Sequence, residues 1–250
     1  RSESTGGEGN ANIAVRGLPV AAGGAKFLQL QEDGLPVMEF GDIAFGNADI
    51  FLRADASLDR IEAIRGGAAS TFASNSPGGV INFISRTGED EGGQVAVTAG
   101  LDYDLTRTDF AYGGALGEGW RFHVGGFWRQ GEGVRNAGYT AESGGQIKAN
   151  LTREFDNGYA RLYLKPLDDR GAVYLPMPVR ATGSNGNPSL GGFAGFDPLS
   201  DTPHSPYFLS AFGLDGNNSP RRVDIADGMR PQSDAIGAEF SFDLDGGWTL

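Results

Sequence analysis

The residues that most resemble a chemical motif are the glycines of RGGAASTFASNSPGGV (65–80), a stretch that lies between two apolar runs. A glycine-rich loop can cradle a phosphate, but a P-loop needs Lys followed by Ser or Thr directly after its glycines. That pair is missing here, and so is the glycine spacing of a dinucleotide-binding turn. We therefore interpret Gly66, Gly67, Gly78 and Gly79 as a packing joint, because glycine permits backbone bends and the close approach of two segments.

Other side chains that could act in catalysis or bind a metal are few and scattered. The two histidines, His123 and His204, are far apart in sequence, and no compelling carboxylate pair indicates a glycosidase cleft. The stretches DLDGG (243–247) and DGNN (215–218) are too short for an EF-hand loop, so we interpret them as turns. Cysteine is absent, which excludes disulfides and thiolate metal sites. The sequence predicts no catalytic residue, no metal and no cofactor.

Composition narrows the class of protein. The 250 residues carry a net charge of −12, which argues against a nucleic-acid-binding surface, since such a surface needs clustered Lys and Arg. The 41 glycines are roughly twice the average usage and indicate β structure with many turns. No apolar run approaches the roughly 20 residues of a membrane helix. A membrane barrel strand, by contrast, shows only about 10 residues of alternating polarity.

Such alternation occurs in six successive segments of the second half of the chain, with the period of two that a β-strand requires. In QIKANLTREF (146–155), Ile147, Leu151 and Phe155 share one face while Lys148 lies on the other. Arg153 interrupts the apolar face of this segment. The other segments are 94–103, 106–116, 120–129, 159–165 and 234–244.

The connections between these segments alternate in length. Tight turns lie at 117–119, 156–158 and 245–247, and longer connections lie at 130–145 and about 167–232. Short turns at one end and long loops at the other are typical of a transmembrane β-barrel, as are aromatic residues near strand ends. A soluble β-rich domain has no reason to place its long connections at one end. It is the alternative that the pattern leaves open.

The first half of the chain is predicted to form a compact, mixed α+β unit. Short strands are predicted at 12–17, 27–34, 60–66 and 78–85, and the apolar spacing of 47–58 predicts a helix capped by Asn47. The sequence thus divides into a domain at residues 1–90 and a strand-rich domain at 91–250.

Three stretches of the first domain carry a family resemblance. VRGLP (15–19), EDGLPV (32–37) and LDRIEAIRGGAASTFASNSPGGVINFISRTG (58–88) resemble, in this order, the plug domain of TonB-dependent outer-membrane receptors. The resemblance implies an α+β plug inside an antiparallel transmembrane β-barrel, with residues 91–250 forming the first six to seven of 22 strands. Phe72-Ala73 stands where the family has an aromatic-glycine pair. The early plug and the TonB box are missing, so we expect a piece of a longer receptor.

The resemblance also implies that Arg16, Glu62 and Arg65, which lie in the plug motifs, form ion pairs between plug and barrel wall. Partly buried charges in a polar lumen need partners. Candidate partners are the inward charges of the predicted strands: Arg107, Arg121, Lys148, Glu154, Arg161 and Glu239. Pairing would keep the plug seated yet releasable, because hydrated ion pairs separate more readily than an apolar core. Ordinary surface charge is the alternative.

Candidate ligand-binding residues lie in two regions. The outward-facing plug loops contribute Phe40 and Phe45, and the long loop contributes Phe193, Phe196, Tyr207, Phe208, Arg221 and Arg222. Aromatic rings stack on sugars or flat chelates, and arginines bind carboxylates through two parallel hydrogen bonds. Packing of the long loop on itself is the alternative interpretation.

The function that the resemblance implies is energy-coupled uptake of a scarce nutrient across the outer membrane of a Gram-negative bacterium. The partners would be the TonB energy-coupling complex, outer-membrane lipid and an extracellular ligand, with no nucleic acid. The acidic, aromatic loop and the lack of a histidine cluster favour a carbohydrate or other organic oligomer over bare metal. A siderophore or other iron chelate is the alternative ligand. A soluble carbohydrate-binding or hydrolase domain and a passive porin are the alternative functions.

Overall fold

The computed structural model describes most of the chain. The residues described are 13–19, 27–39, 48–73, 76–133, 140–171, 179–192, 197, 230–244, 246 and 248–249. They form an N-terminal domain and a large antiparallel sheet of long strands. Among these residues, no helix is both long and apolar enough to cross a bilayer.

The N-terminal domain is built on a four-stranded sheet of order β4-β3-β6-β5, in which β3 and β6 are parallel and the other neighbours antiparallel. The strands of the domain are β1 (Ala14–Val15), β2 (Leu18–Pro19), β3 (Leu28–Glu32), β4 (Leu35–Pro36), β5 (Leu58–Arg65) and β6 (Gly79–Ser85). The strands predicted at 27–34, 60–66 and 78–85 are confirmed, whereas the one predicted at 12–17 is limited to Ala14–Val15 because Arg16 and Gly17 turn the chain with positive φ. Single 3₁₀ turns lie at Ala48–Phe51 and Gly67–Thr71.

A small apolar core holds this sheet together. It consists of Val15, Leu28, Leu30, Ala48, Leu52 and Phe83, all buried. The glycine joint lies at its edge. A side chain at Gly78 would place its Cβ 2.7 Å from the Phe27 carbonyl oxygen, and one at Gly79 would lie 2.7 Å from the Ile64 carbonyl oxygen. These two glycines therefore allow β6 to pack tightly between its neighbours, and Gly66 supplies a positive φ of 82° at the end of β5.

The helix predicted over 47–58 is wrong beyond one 3₁₀ turn, Ala48–Phe51. The Arg53 guanidinium donates hydrogen bonds to the carbonyl oxygens of Ile50 at 2.8 Å and Leu52 at 2.9 Å. The Asp55 carboxylate accepts one from the Ser57 backbone N–H at 2.8 Å. These side chains take the place of helical backbone bonds, so residues 52–55 have no regular secondary structure and a turn at 56–57 leads into β5.

The second half of the chain forms a seven-stranded antiparallel sheet, called here the long sheet, of order β15-β14-β11-β10-β9-β8-β7. Its strands are β7 (Gly92–Ala99), β8 (Leu105–Gly117), β9 (Trp120–Gly131), β10 (Glu142–Phe155), β11 (Gly158–Arg170), β14 (Gln232–Leu244) and β15 (Trp248–Thr249). A separate hairpin, β12 (Arg180–Ser184) and β13 (Asn187–Gly191), lies in the long connection between β11 and β14. The six predicted strands and the start of a seventh are thus confirmed, as an open sheet within the described residues.

Tight turns fix the register at one end of the long sheet. Between β8 and β9, Glu118 and Gly119 both have positive φ, 51° and 75°, the conformation of a two-residue hairpin turn. Between β10 and β11, Phe155 pairs directly with Gly158. We call this the turn end of the sheet and the opposite end, where 132–141 and 171–231 connect the strands, the loop end.

Candidate functional site

The long sheet exposes its apolar face and buries its polar face, which is the reverse of the arrangement in a soluble domain. The outer face carries exposed apolar side chains, while the inner face, which packs on the N-terminal domain, carries buried polar ones. On β10, Ile147 is 47% exposed, whereas its polar neighbours Gln146 and Lys148 are 2% and 7% exposed. Further exposed apolar residues are Val95, Val97, Tyr112, Trp128, Leu151, Leu162, Leu164, Ile236 and Phe240. The candidate site is therefore the polar contact between the N-terminal domain and this inner face.

Near the middle of the inner face, one carboxylate of the N-terminal domain binds two lysines of the sheet. Glu32, the last residue of β3, accepts a hydrogen bond from Lys148 Nζ at 2.8 Å and a second from Lys165 Nζ. Lys165 also donates to the Phe51 carbonyl oxygen at 3.0 Å, and Lys148 Nζ lies 3.9 Å from Asp33 Oδ2. Burial alone would raise the pKa of Glu32, but the two ammonium groups outweigh it and hold that pKa below its ordinary value.

Toward the loop end lies a second, buried cluster. Asp169 of β11 accepts a hydrogen bond from Arg53 Nε at 2.5 Å and from Arg129 Nε at 2.7 Å. Arg129 Nη1 lies 3.2 Å from Glu142 Oε2, so two carboxylates balance two guanidinium groups. The side chains of Arg53, Arg129 and Asp169 are at most 3% exposed. Arg53 is the member of this cluster that comes from the N-terminal domain.

Single hydrogen bonds also join the N-terminal domain to the long sheet. Some of them lie between the two clusters and others lie toward the turn end. Gln146 Nε2 donates to Asp55 Oδ2 at 2.6 Å, and Arg107 Nη2 donates to the Ala54 carbonyl oxygen at 3.0 Å. The remaining pairs are Asn150 Nδ2 to the Arg86 carbonyl oxygen at 2.8 Å and Arg121 Nη2 to Glu89 Oε1 at 3.4 Å. Polar contacts thus run from the loop end toward the turn end, and the buried side chains of Phe127 and Leu167 lie among them on the inner face.

At the turn end the two parts separate around a cleft of about 700 Å³. Its walls carry charges of both signs, including Asp33, Arg60 and Arg161. His123 also lines it; this side chain is 4% exposed, and its Nδ1 has no hydrogen-bond partner in the described part of the chain. No group of three or more His, Asp or Glu side chains that could hold a metal ion occurs among the described residues.

Comparison with known proteins identifies the N-terminal domain. The family model of the TonB-dependent receptor plug domain matches residues 1–80. The N-terminal domain is a TonB-dependent receptor plug. A search of curated protein sequences gives no match. From here the N-terminal domain is called the plug and the long sheet the barrel strands.

Solved receptors share the fold of both parts. The ferripyoverdine receptor of the Pseudomonas aeruginosa outer membrane is 16% identical, with a TM-score of 0.55 over 95% of this chain and 27% of that receptor. The siderophore receptor PirA from Acinetobacter baumannii is 14% identical, with a TM-score of 0.50 over 87% of this chain and 30% of that receptor. The ferric enterobactin receptor PfeA of Pseudomonas aeruginosa is 16% identical, with a TM-score of 0.50 over 98% of this chain and 36% of that receptor. The chain thus spans little more than a third of these receptors at most.

The three residues predicted to pair the plug with the barrel wall are exposed on the N-terminal domain. Glu62 lies on β5 and is exposed, with its Oε1 2.8 Å from Arg60 Nη2 of the same strand. Arg65 is exposed at the end of β5, and Arg16 is exposed in the turn between β1 and β2. Pairing of these three residues with a barrel wall stays a prediction. Of the expected partners on the barrel strands, Arg107, Arg121 and Lys148 contact other plug-side residues, whereas Arg161 and Glu239 pair with each other.

The predicted ligand-binding residues lie outside the described residues. These are Phe40, Phe45, Phe193, Phe196, Tyr207, Phe208, Arg221 and Arg222. Their role stays a prediction.

Of the residues that build the two clusters, Lys148 was a predicted inward partner, whereas sequence reasoning missed Glu32, Arg53 and Asp169. Arg53 lay in the segment predicted as a helix, and Asp169 lies beyond the predicted end of its strand at 165. Glu32 was recognised only as part of the motif EDGLPV (32–37), and no contact was predicted for it. The alternation of β11 places Lys165 on the inner face, so the sequence could have predicted this residue. Lys148 lies on the same face of the neighbouring strand, and the two lysines could have been grouped.

Proposed function

We propose that this chain is the plug and first barrel strands of an outer-membrane receptor that takes up a scarce nutrient into the periplasm with energy supplied through TonB. The observation that supports this most directly is the inverted polarity of the barrel strands. Exposed apolar side chains suit contact with lipid, and buried charges on the other face suit a polar lumen that holds a plug. Fold alone does not give function, so the proposal rests on this site.

The plug–barrel contact suits a transporter better than a static scaffold. An apolar plug interface would resist separation, because each contact with water would cost free energy. Here Glu32 and Arg53 reach the wall through ion pairs and hydrogen bonds, which water can replace as the plug moves. In the proposed mechanism the ligand binds outside, the TonB complex pulls on the plug, and the plug groups exchange their wall partners for water. No step makes or breaks a covalent bond, so we assign no catalytic residue.

For the ligand we propose a carbohydrate or other organic oligomer, with an iron chelate as the second candidate. The acidic, aromatic long connection supports the first. The second is favoured by the solved receptors of the same fold, which are described as receptors for a siderophore, ferripyoverdine and ferric enterobactin. At 14% to 16% identity this likeness concerns the fold and does not select the ligand.

The test is uptake by cells that carry or lack the receptor gene, in strains with and without TonB. Growth on oligosaccharides as sole carbon source and growth under iron limitation are measured in parallel. We expect receptor-dependent growth in one condition only, lost when TonB is deleted. Uptake that persists without TonB would indicate a passive porin. Recovery of the complete protein in the soluble fraction without detergent would indicate a soluble β-rich domain.

A further inference from the structure

Arg153 lies among the exposed apolar side chains of the outer face of the barrel strands. On β10 the side chains of Ile147, Leu151 and Phe155 are exposed on this face, and Arg153 occupies the position between the last two. Its neighbour Thr152 points inward and is 0% exposed, which confirms the alternation. A cation in the middle of a lipid-facing band is costly, so an arginine here needs a specific place and a specific partner.

The place is near the turn end. In the register of the sheet, Arg153 lies opposite Trp120, the first residue of β9, on one side and opposite Ala160 of β11 on the other. It precedes the turn at Asp156 by three residues, or about 10 Å along the strand. In a barrel whose short turns face the periplasm, this depth corresponds to the headgroup region of the inner leaflet. That leaflet of the outer membrane consists of phospholipids.

The protein holds the Arg153 guanidinium without neutralising it. The Cζ atom lies 5.4 Å from the ring centroid of Trp120 and 5.7 Å from that of Phe155, within the range of cation–π contacts. Nη1 is buried and has no hydrogen-bond partner, and in the described part of the chain no carboxylate forms an ion pair with this side chain. The adjacent Glu154 instead pairs with Arg121, which lies on the inner face. The two rings thus hold a planar cation that has no carboxylate partner among the described residues.

We propose that Arg153, Trp120 and Phe155 form a binding site for the phosphate of a phospholipid in the inner leaflet. A guanidinium presents two parallel N–H donors that match two phosphate oxygens. Aromatic rings at the membrane interface pack against the glycerol region, and Leu151 continues the outer face toward the acyl chains. The site would anchor this edge of the barrel at a defined depth. The inference rests on the membrane placement in the proposed function.

The experiment compares phosphatidylglycerol retention by the complete receptor and its variants. Purified receptor in detergent is titrated with phosphatidylglycerol, and bound lipid is counted by native mass spectrometry. We expect Arg153→Gln to weaken the tightest lipid site about tenfold, the usual effect of losing a charge-assisted hydrogen bond. Diacylglycerol, which lacks the phosphate, should bind wild type and variant equally. Arg230→Gln is the matched control, because Arg230 pairs with Asp168 at 2.6 Å at the loop end of the sheet.

The outcomes separate the possible sources of the phosphate. Equal phosphatidylglycerol retention by wild type and Arg153→Gln overturns the proposal. Displacement of the lipid by millimolar inorganic phosphate, with Arg153 required for phosphate binding, would show a free-anion site and also overturns it. If Arg153→Gln fails to assemble, Trp120→Leu keeps the charge and removes the platform, and unchanged lipid retention in that variant refutes the site. Failure of the proposed function would instead appear as a complete protein that fractionates away from membranes.

Discussion

The contact between Glu32 and its two lysines yields the sharpest prediction. Glu32→Gln removes the charge that balances Lys148 and Lys165, whose side chains are each 9% exposed. Removing one partner of a buried ion pair costs about 3–5 kcal/mol. Because Asp33 Oδ2 remains 3.9 Å from Lys148 Nζ, we expect the lower end, about 3 kcal/mol of plug stability in the barrel.

Hydrogen exchange of the plug measures this loss directly. The backbone amides of β3 exchange when the plug opens, and about 3 kcal/mol corresponds to roughly 100-fold faster exchange. Glu62→Gln is the matched control, since Glu62 is also an ion-paired plug glutamate but lies exposed beside Arg60. Its substitution should leave β3 exchange nearly unchanged. If Glu62→Gln accelerates exchange and Glu32→Gln does not, burial of the ion pair is not what seats the plug, and the reasoning fails.

Three further predictions concern the plug and its contacts with the barrel strands. Asp169→Asn leaves Arg53 and Arg129 facing each other in a buried cluster, so urea unfolding of the plug should lose about 3 kcal/mol or more; an unchanged midpoint would contradict this. Because the pKa of Glu32 lies below its ordinary value of 4.5, its stabilisation is complete above pH 4.5 and declines as the pH falls below it. The protection factors of the β3 amides, which correct for the slower intrinsic exchange in acid, should therefore fall more in the wild type than in Glu32→Gln. Gly79→Ala places a Cβ 2.7 Å from a carbonyl oxygen of β5 and should destabilise the plug by about 1–3 kcal/mol in thermal melts; Gly67→Ala, with nothing within 4 Å, is its control.

Sequence reasoning recovered the strands because their signal is local. Alternation of polarity identifies a strand and its two faces from neighbouring residues alone, and β7 to β11 and β14 follow it closely. The same alternation predicted which face would be apolar, and the structure exposes that face. The helix at 47–58 failed because Arg53 uses its guanidinium to bind local carbonyl oxygens and a carboxylate that is 116 residues away.

The sequence by itself determined the strands, the tight turns, the plug motifs and part of the charge on the inner face, Lys148 included. Only the tertiary structure decided which charges meet. Glu32 and Lys165 are 133 residues apart, and no local pattern relates them. Their contact depends on how the plug lies against the sheet, and a buried charge pairs with whichever opposite charge that packing brings within hydrogen-bond distance.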